Sequence, residues 1–309
     1  MMPGEALAAF KRWKPDNEFL NLCGIHLHIG SQNPKAEPYA EALKTLFENL
    51  RLISGETGHR LSHLNLGGGF PVNYLRDESN AGYFSAEQRD FFAAELEPSE
   101  VLRDAWKAVK ESARQTGAEN LLENIELLIE PGRSVIADAG ICLTKVHNRK
   151  ERPIDGRNAV SLTASSDANK KSRQDNAAPP EDVWLLTDAG FNILLSMETY
   201  KWYYHLIAAS RAGDNHSAKY KLAGPLCDGG DVYFDIEGEN RLPDYRLLPE
   251  NVEPGEILAL LNCGAYSIAQ MSQYNGRQLP AIVLIKENGA VELIRKRDSY
   301  EDLLTNDIW

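Results

Sequence analysis

The stretch GIHLHIGS at residues 24–31 decides the fold, because a short run of strand type ends there in a glycine–serine turn. The same pattern recurs twice along the chain. A second run at 61–66 ends abruptly at three consecutive glycines, 67–69, and a third at 125–129 ends in the sequence EPGR at 130–133. Strands that each end in small or polar residues predict a sheet whose loops carry the chemistry.

Helical segments alternate with these strands. Residues 37–54 place apolar side chains at helical spacing, and residues 85–115 do the same with an interruption near Pro98, where Ser99 is predicted to cap a new helix. Two further strands are expected, at 141–146 and 183–186. Strand, loop and helix in this rhythm are typical of a parallel α/β architecture.

The composition changes twice later in the chain. Residues 148–181 are rich in charged residues, Asn, Ser and Pro and poor in large apolar ones, which predicts a disordered insertion. From residue 218 onward, short strand-type runs alternate with turns. The sequence therefore predicts an α/β domain over 1–217, interrupted by the insertion, and a β-rich domain over 218–309.

The clearest signal in the second domain is a hairpin. Asn288-Gly289 separates two strand-type runs, 281–285 and 291–294, and Asn-Gly between such runs favours a tight β-turn. Two more strands are predicted, at 231–236 and 256–261.

Composition excludes several classes of function. The 309 residues carry a formal net charge of −12, which disfavours a nucleic-acid-binding protein. No apolar run approaches the roughly 20 residues of a membrane span, and the amino-terminal residues lack a signal-peptide core. The four cysteines form neither CxxC pairs nor metal-ligand spacings with histidine, so no metal site is expected and a reduced, cytoplasmic protein is predicted.

The loops that end the first three strands contain the elements of a phosphate site. In parallel α/β folds ligands lie at the carboxyl ends of strands, so these loops are expected to converge. Backbone N–H groups at glycines 67–69, the Ser31 hydroxyl and the Arg133 guanidinium are suitable donors to an anion. Each signal has a plainer interpretation: His28 as a core histidine, the glycines as a tight turn, and Glu130 with Arg133 as a surface ion pair. The glycines fit neither a dinucleotide fingerprint nor a Walker loop.

Taken in order, the motifs resemble the fold-type III decarboxylases that depend on pyridoxal 5′-phosphate (PLP), and among them the diaminopimelate decarboxylases, with ornithine and arginine decarboxylases more distant. The motifs that carry the resemblance are GIHLHIGSQ at 24–32, GGGF at 67–70, EPGR at 130–133, GPLCDGGD at 224–231, GAY at 264–266 and QYNGR at 273–277. The resemblance implies part of a PLP-binding (β/α)8 barrel of the TIM type, alanine racemase-like, followed by a carboxy-terminal all-β domain.

The resemblance also implies a role for each matched cofactor residue. His28 would stack on the pyridine ring, and Glu130 would face the pyridine nitrogen and keep it protonated, so that the ring accepts the electron pair released with CO2. Tyr266 would donate a hydrogen bond to the phosphate. The other residues implied to hold the phosphate are Ser31, Gly67, Gly68, Gly69, Gly132 and Arg133.

Cys227 would be the general acid, delivered in this family from the second subunit, which implies a homodimer. Asp228 would bind the distal amino group of an amino-acid substrate. One departure concerns the substrate: Ser196 stands where diaminopimelate decarboxylases carry an arginine for the distal carboxylate, whereas Tyr200 is retained. A hydroxyl cannot replace a bidentate charged grip, so we expect another diamino acid, or a conjugated amino acid of a siderophore or antibiotic pathway, to fit at least as well.

The second departure is the PLP lysine. The family carries it in a Tyr-Ala-x-Lys-Ala-Asn motif upstream of the 24–32 segment, and this sequence contains no such motif. Removing segment 148–181 from residues 1–217 leaves 183 residues, fewer than the roughly 250 of a complete barrel. We therefore expect an amino-terminally truncated enzyme. The alternatives are an inactive homologue that binds a relative or a regulator, and a phosphosugar enzyme without PLP.

Overall fold

The computed structural model describes residues 4–13, 18–76, 84–153, 181–239 and 241–308. The chain divides into two compact units. One comprises residues 1–73 and 86–137, and the other comprises residues 74–85 and 138–309. Each unit is described separately below.

The first unit contains a parallel three-stranded sheet of order β1-β2-β3. Its strands are β1 Gly24–His26, β2 His63–Asn65 and β3 Glu126–Leu128. The register places His26 beside Asn65 and Asn65 beside Leu128, so all three strands end at the same edge. This confirms the three predicted strands and their parallel arrangement. β1 ends two residues before His28, which therefore lies in the following loop rather than in the strand.

The first unit also contains helices. They are α1 Glu5–Arg12, α2 Glu37–Thr57, α3 Ala86–Phe92, α4 Pro98–Gln115 and α5 Arg133–Ile136. The apolar stripe of α2, including Leu43, Phe47 and Ile53, is fully buried and packs with the inner face of α4 and with Leu64 of β2 in one core. The interruption predicted at Pro98 separates α3 from α4. The predicted cap is wrong, because the Glu97 side chain, and not Ser99, caps α4 by accepting from the Ser99 N–H.

The second unit is built on a six-stranded sheet of order β6-β9-β4-β5-β7-β8. Its strands are β4 Cys142–Pro153, β5 Glu181–Thr187, β6 Leu206–Ala208, β7 Ala218–Ala223, β8 Arg246–Leu248 and β9 Ile257–Leu260. Only the β5–β7 pair is parallel. The helices of this unit are short, α6 Leu195–Thr199 and α7 Tyr300–Leu303.

Strand pairing changes two of the predicted boundaries. β4 and β5, which precede residue 218, pair with β9 and β7 in one sheet, so the boundary placed at 217/218 runs through a sheet and not between domains. The predicted insertion 148–181 also begins and ends in strand, because Asn148 pairs with Leu186 and Pro153 with Glu181. The remainder of that prediction, residues 154–180, lies outside the described residues.

The predicted hairpin is confirmed. The antiparallel strands β10 Ile282–Ile285 and β11 Val291–Arg295 are joined by a turn in which Gly289 has a φ of 79°. The strand predicted at 231–236 is wrong: its only β-contact is an isolated bridge from Val232 to Ala223. The Asp231 carboxylate accepts from the Phe191 and Leu226 N–H groups, which holds this stretch in a turn. In the parts of the chain that the structure describes, no helix is both long and apolar enough to cross a bilayer.

Candidate active site

The loops that follow β1, β2 and β3 leave one edge of the sheet and are hydrogen-bonded to each other. The Leu66 N–H donates to the Leu128 carbonyl over 3.0 Å, and the Glu130 N–H donates to the Gly67 carbonyl over 2.8 Å. The Asn33 N–H donates to the Gly69 carbonyl over 3.0 Å. Tertiary contact therefore joins three segments that are far apart in sequence.

Arg133 and Ser31 meet in this loop cluster. Arg133 Nη2 donates to Ser31 Oγ over 2.9 Å, and the arginine is 5% exposed whereas the serine lies at the surface. Gly132 immediately precedes α5, so Arg133 is the first residue of that short helix. A buried guanidinium beside an exposed hydroxyl provides several directed donors to an anion.

The three glycines allow the backbone to pass close to neighbouring loops. Gly69 has a φ of 90°, a region that side chains disfavour, and a Cβ there would overlap the Gly30 carbonyl oxygen. A Cβ on Gly68 would overlap the carbonyl oxygen of Glu130, and one on Gly67 would lie 2.7 Å from the Leu27 carbonyl oxygen. Only glycine fits these positions, because a side chain would overlap the backbone of the neighbouring loops.

Glu130 is held by residues of the neighbouring strands. Asn65 Nδ2 donates to Glu130 Oε1 over 2.7 Å, and His26 Nε2 lies 3.8 Å from the same oxygen. The Asn65 side chain also accepts from the Gly67 N–H over 2.8 Å. The carboxylate is 56% exposed and does not pair with Arg133 in a surface ion pair. Sequence reasoning missed Asn65; its position at the end of β2, level with His26, was the available signal.

His28 faces the glycine run. The Gly68 N–H lies 3.4 Å from His28 Nδ1, and the histidine is exposed rather than part of the core. An exposed imidazole, an exposed carboxylate and a buried arginine thus share one set of loops. The arginine donors, the carboxylate acceptor and the exposed imidazole fit a phosphorylated aromatic cofactor.

A second cluster of predicted residues lies in the second unit, in the loop that follows β7. Cys227 is exposed, and its backbone N–H donates to Asn275 Oδ1 over 2.9 Å. Asp228 accepts from the Gly230 N–H over 2.8 Å and from Tyr274 Oη over 3.0 Å. The hydrogen bond to the Asp228 carboxylate and its negative charge raise the pKa of Tyr274. The cysteine and the carboxylate are therefore presented together at the surface of this unit.

Asp231 organises the same loop from beneath. Its carboxylate accepts from the Leu226 N–H over 2.7 Å and from the Phe191 N–H over 2.9 Å, and the residue is 2% exposed. Burial raises the pKa of Asp231, against the effect of these two backbone hydrogen bonds. Sequence reasoning placed Asp231 in a motif but gave it no role.

The remaining predicted residues also belong to the second unit. Ser196 is buried, and its Oγ donates to Gln270 Oε1 over 2.8 Å, so its hydroxyl already has a partner within the protein. Tyr200 is 65% exposed at the end of α6. Tyr266 is 44% exposed, with a φ of 62°. The structure brings Ser31, Gly67–Gly69, Glu130 and Arg133 together in the first unit and Cys227 with Asp228 in the second.

Fold and loops define a class: an α/β protein whose parallel strands end in loops that carry a glycine run, an exposed serine and a buried arginine, with a β-rich unit later in the chain. Two family models identify the family. Residues 5–137 match the model described as "Pyridoxal-dependent decarboxylase, pyridoxal binding domain", and residues 74–264 match "Pyridoxal-dependent decarboxylase, C-terminal sheet domain". The chain belongs to the pyridoxal-dependent decarboxylases.

Individual relatives agree with the family models. Diaminopimelate decarboxylase of Methanocaldococcus jannaschii is 30% identical over 291 residues, which are 94% of this chain and 52% of that protein. The diaminopimelate decarboxylase of Escherichia coli K12 is 32% identical over 92% of this chain and 56% of the relative. A crystal structure of the M. jannaschii enzyme superposes with a TM-score of 0.68 at 29% identity, covering 95% of this chain and 54% of that one.

The chain spans about half the length of the curated relatives it matches. The comparisons confirm the predicted fold class, an α/β barrel portion with a β-rich domain, and the resemblance on which it rests. They also confirm PLP as the cofactor of the family. The two family models overlap at residues 74–137. The first model ends at residue 137, which is also the last residue of the first structural unit.

Proposed function

We propose that this chain contributes the cofactor-phosphate cradle and the general acid of a PLP-dependent amino-acid decarboxylase of the diaminopimelate decarboxylase type. The observation that carries the proposal is the hydrogen bond from buried Arg133 to exposed Ser31, beside a glycine run whose backbone admits no side chain. That arrangement supplies charge and directed donors to a phosphate. Its match to the family model for pyridoxal binding supports the same assignment.

In the first unit each side chain has a separate task. Arg133 and Ser31 would bind the phosphate, together with the backbone of Gly69 and Gly132. The Gly67 N–H already donates to Asn65 Oδ1 and the Gly68 N–H to His28 Nδ1, so these two groups would have to leave their present acceptors to bind it. His28 would stack on the ring, because its imidazole is exposed on the side of the glycine run. When bound, PLP draws the electron pair that remains as CO2 leaves the α-carbon. Glu130 would keep the ring nitrogen protonated, and Asn65 would orient Glu130 by the 2.7 Å hydrogen bond to Oε1.

In the second unit the Cys227 thiol would donate a proton to the α-carbon after CO2 has left. Asp228 would bind the distal ammonium of the substrate through its carboxylate. Tyr266 would donate to the phosphate, and Tyr200 would contact the substrate. Support for these roles comes from the exposure of Cys227 and Tyr200 and from the match of residues 74–264 to the family model.

The substrate is an amino acid with a distal amino group. A homologue from M. jannaschii has been crystallised with L-lysine, and the relatives of about 30% identity are named diaminopimelate decarboxylases. Ser196 qualifies the assignment: it is buried and donates to Gln270, so no charged group at this position binds a distal carboxylate. We therefore favour a diamino acid, free or conjugated, whose distal end is recognised by Asp228.

The assembly we propose is a cytoplasmic homodimer in which Cys227 serves the active site of the neighbouring subunit. The exposed position of Cys227 supports its delivery to another chain. All four cysteines are free thiols in the described residues, which supports a reducing compartment.

The test is CO2 release by the purified product of the complete reading frame, loaded with PLP, from diaminopimelate, ornithine, arginine and lysine in parallel, because residues 1–309 contain no motif for the family's PLP lysine. We expect turnover of one diamino acid and a fall in kcat of about 100-fold in Cys227→Ser, because a general acid contributes roughly 10²–10⁴ in rate. Cys23→Ser is the matched control, since Cys23 is also exposed but lies in the first unit. Equal losses in both variants would contradict the role of Cys227.

A second candidate function is an inactive homologue that binds a full-length relative. One observation favours it: the sequence contains no Tyr-Ala-x-Lys-Ala-Asn motif, which carries the lysine that binds PLP covalently in the family. This candidate predicts a complex with a full-length decarboxylase and no CO2 release from the purified protein. Release of CO2 from the protein alone would eliminate it.

A further inference from the structure

The segment Gln273–Arg277 contacts the loop that carries Cys227 at three points. Tyr274 Oη donates to Asp228 Oδ2, Asn275 Oδ1 accepts from the Cys227 N–H, and Arg277 Nη2 donates to the Pro225 carbonyl. These three residues each form a hydrogen bond with a different residue of the 225–228 loop. The contact between these two stretches is therefore distributed over the whole Cys227 loop and does not rest on a single pair.

Asn275 has a backbone conformation suited to this contact. Its φ is 56° and its ψ is 28°, the left-handed region that asparagine tolerates better than most residues with a side chain. The following residue, Gly276, also has a positive φ of 66°. The reversal of direction at 275–276 brings the amide oxygen of Asn275 to 2.9 Å from the Cys227 N–H. Few residue types combine this conformation with a side-chain acceptor.

The position of Asn275 is itself fixed from both sides. On one side, Tyr274 packs against the Phe191 ring, with ring centroids 5.4 Å apart. On the other, Gln273 Nε2 donates to Asp298 Oδ2 over 2.9 Å, and the Leu279 N–H donates to the same oxygen. The acceptor that meets Cys227 thus belongs to an anchored segment, although both Cys227 and Asn275 are exposed.

We propose that Asn275 is a positioning residue for Cys227: its amide oxygen fixes the cysteine backbone and thereby the direction in which the thiol is presented. The inference rests on the proposed function for the chemical role of Cys227, but the contact itself does not. Because a proton donor misplaced by about 1 Å can lose a large factor in rate, a residue that holds the donor without touching substrate can limit kcat.

The experiment compares three variants of the product of the complete reading frame, loaded with PLP. Asn275→Gly keeps the left-handed backbone accessible but removes the acceptor, and Asn275→Asp keeps both the backbone preference and an oxygen acceptor. Asn251→Gly is the matched control, because Asn251 is an exposed asparagine of the same unit with the same φ of 56°. Far-ultraviolet circular dichroism verifies that each variant is folded.

Two readouts are measured. The first is amide hydrogen exchange at Cys227, which we expect to accelerate about five-fold in Asn275→Gly, in line with the net strength of one hydrogen bond. Asn275→Asp is expected to retain the wild-type exchange rate within two-fold, and Asn251→Gly to leave it unchanged. The second is steady-state turnover, where Asn275→Gly is expected to lower kcat at least ten-fold with KM altered less than three-fold, and Asn275→Asp to restore most of kcat.

Unchanged exchange at Cys227 in Asn275→Gly would overturn the inference, as would a loss of kcat equal to that in Asn251→Gly. The acid role of Cys227 and the positioning role of Asn275 are tested by different variants. If Cys227→Ser retains the wild-type kcat, the acid role in the proposed function is wrong. The exchange rates of Asn275→Gly and Asn275→Asp then still decide whether Asn275 fixes the cysteine segment.

Discussion

Arg133 Nη2 donates a hydrogen bond to Ser31 Oγ over 2.9 Å, although 102 positions separate the two residues in the chain. The contact joins the loop after β1 to the first residue of α5. Its partners differ in exposure, since the guanidinium is buried and the hydroxyl is at the surface. An anion that reaches Ser31 therefore meets a charge that is already oriented, which lowers the entropic cost of binding.

Arg133→Met should weaken binding of pyridoxal 5′-phosphate by about 10–100-fold, because hydrogen bonds to charged groups contribute roughly 1.5–3 kcal/mol. Affinity is measured by fluorescence titration. Pyridoxal, which lacks the phosphate, is the control ligand, and its affinity should stay within two-fold of wild type. An equal loss for both ligands would place Arg133 away from the phosphate.

Gly69→Ala should destabilise the first unit more than Gly58→Ala. Both glycines have positive φ, 90° and 73°, but a Cβ on Gly58 meets nothing within 4 Å whereas one on Gly69 overlaps the Gly30 carbonyl. We expect losses of about 1–2 kcal/mol for Gly58→Ala, from the left-handed backbone alone, and about 2–5 kcal/mol for Gly69→Ala. Urea denaturation measures both. Equal losses would show that the overlap is relieved by movement of the loop.

Asp188 should make a pH-dependent contribution to the free energy of unfolding of the second unit. Burial raises the pKa of this carboxyl, but hydrogen bonds from the Lys145 N–H and from Thr144 Oγ1, together with His147 3.3 Å away, outweigh it and lower the pKa below 3.8. A lowered native pKa means that the unfolded chain binds the proton more tightly. The stabilisation is therefore present above the unfolded pKa and is lost as pH falls through the native one.

The expected result is a free energy of unfolding that differs between wild type and Asp188→Asn at pH 6 and converges as the pH falls below about 3. Urea unfolding at a series of pH values measures the difference. Parallel curves for the two proteins over this range would contradict the assignment.

Replacing Arg246 by an apolar residue should increase the free energy of unfolding. The guanidinium lies 4.4 Å from the centre of the Tyr203 ring, the residue is 2% exposed, and within the described part of the chain its nitrogens have no hydrogen-bond partner. Burial lowers the pKa of this arginine, which reflects the cost of keeping its charge away from water.

Arg246→Met should therefore raise the free energy of unfolding by about 1–4 kcal/mol, the range for buried ion pairs replaced by apolar side chains. Arg246→Lys, which keeps the charge but loses contact with the ring, is the matched control and should be less stable than wild type. A destabilised Arg246→Met would show that the guanidinium has a favourable electrostatic environment.

Much of the first unit could be predicted from local sequence. The strands at 63–65 and 126–128 lie within the predicted runs, β1 overlaps the run predicted at 25–29, and α2 and α4 follow the apolar periodicity. The glycine run and the EPGR segment marked the loops because residue type alone limits backbone conformation and hydrogen-bond donors. The prediction of the 288–289 turn succeeded for the same reason.

The errors arose where long-range pairing competes with local composition. Residues 148–153 are polar, yet they form strand because β5 offers them backbone partners from 181 to 186. Residues 231–236 have a strand-like pattern, yet the buried Asp231 carboxylate draws them into a turn. The composition of a short stretch does not reveal which strand will pair with it, nor which N–H groups the Asp231 carboxylate will bind.

By itself the sequence determined the alternation of strands and helices, the loops that bear function and the family to which the chain belongs. These depend on residue type, spacing and order, which are properties of the linear chain. Only the tertiary structure decided that Asn65 holds Glu130, that Asn275 meets Cys227 and that Ser196 is already bonded to Gln270. Hydrogen bonds act over about 3 Å in space, and separation along the chain does not say which groups come that close.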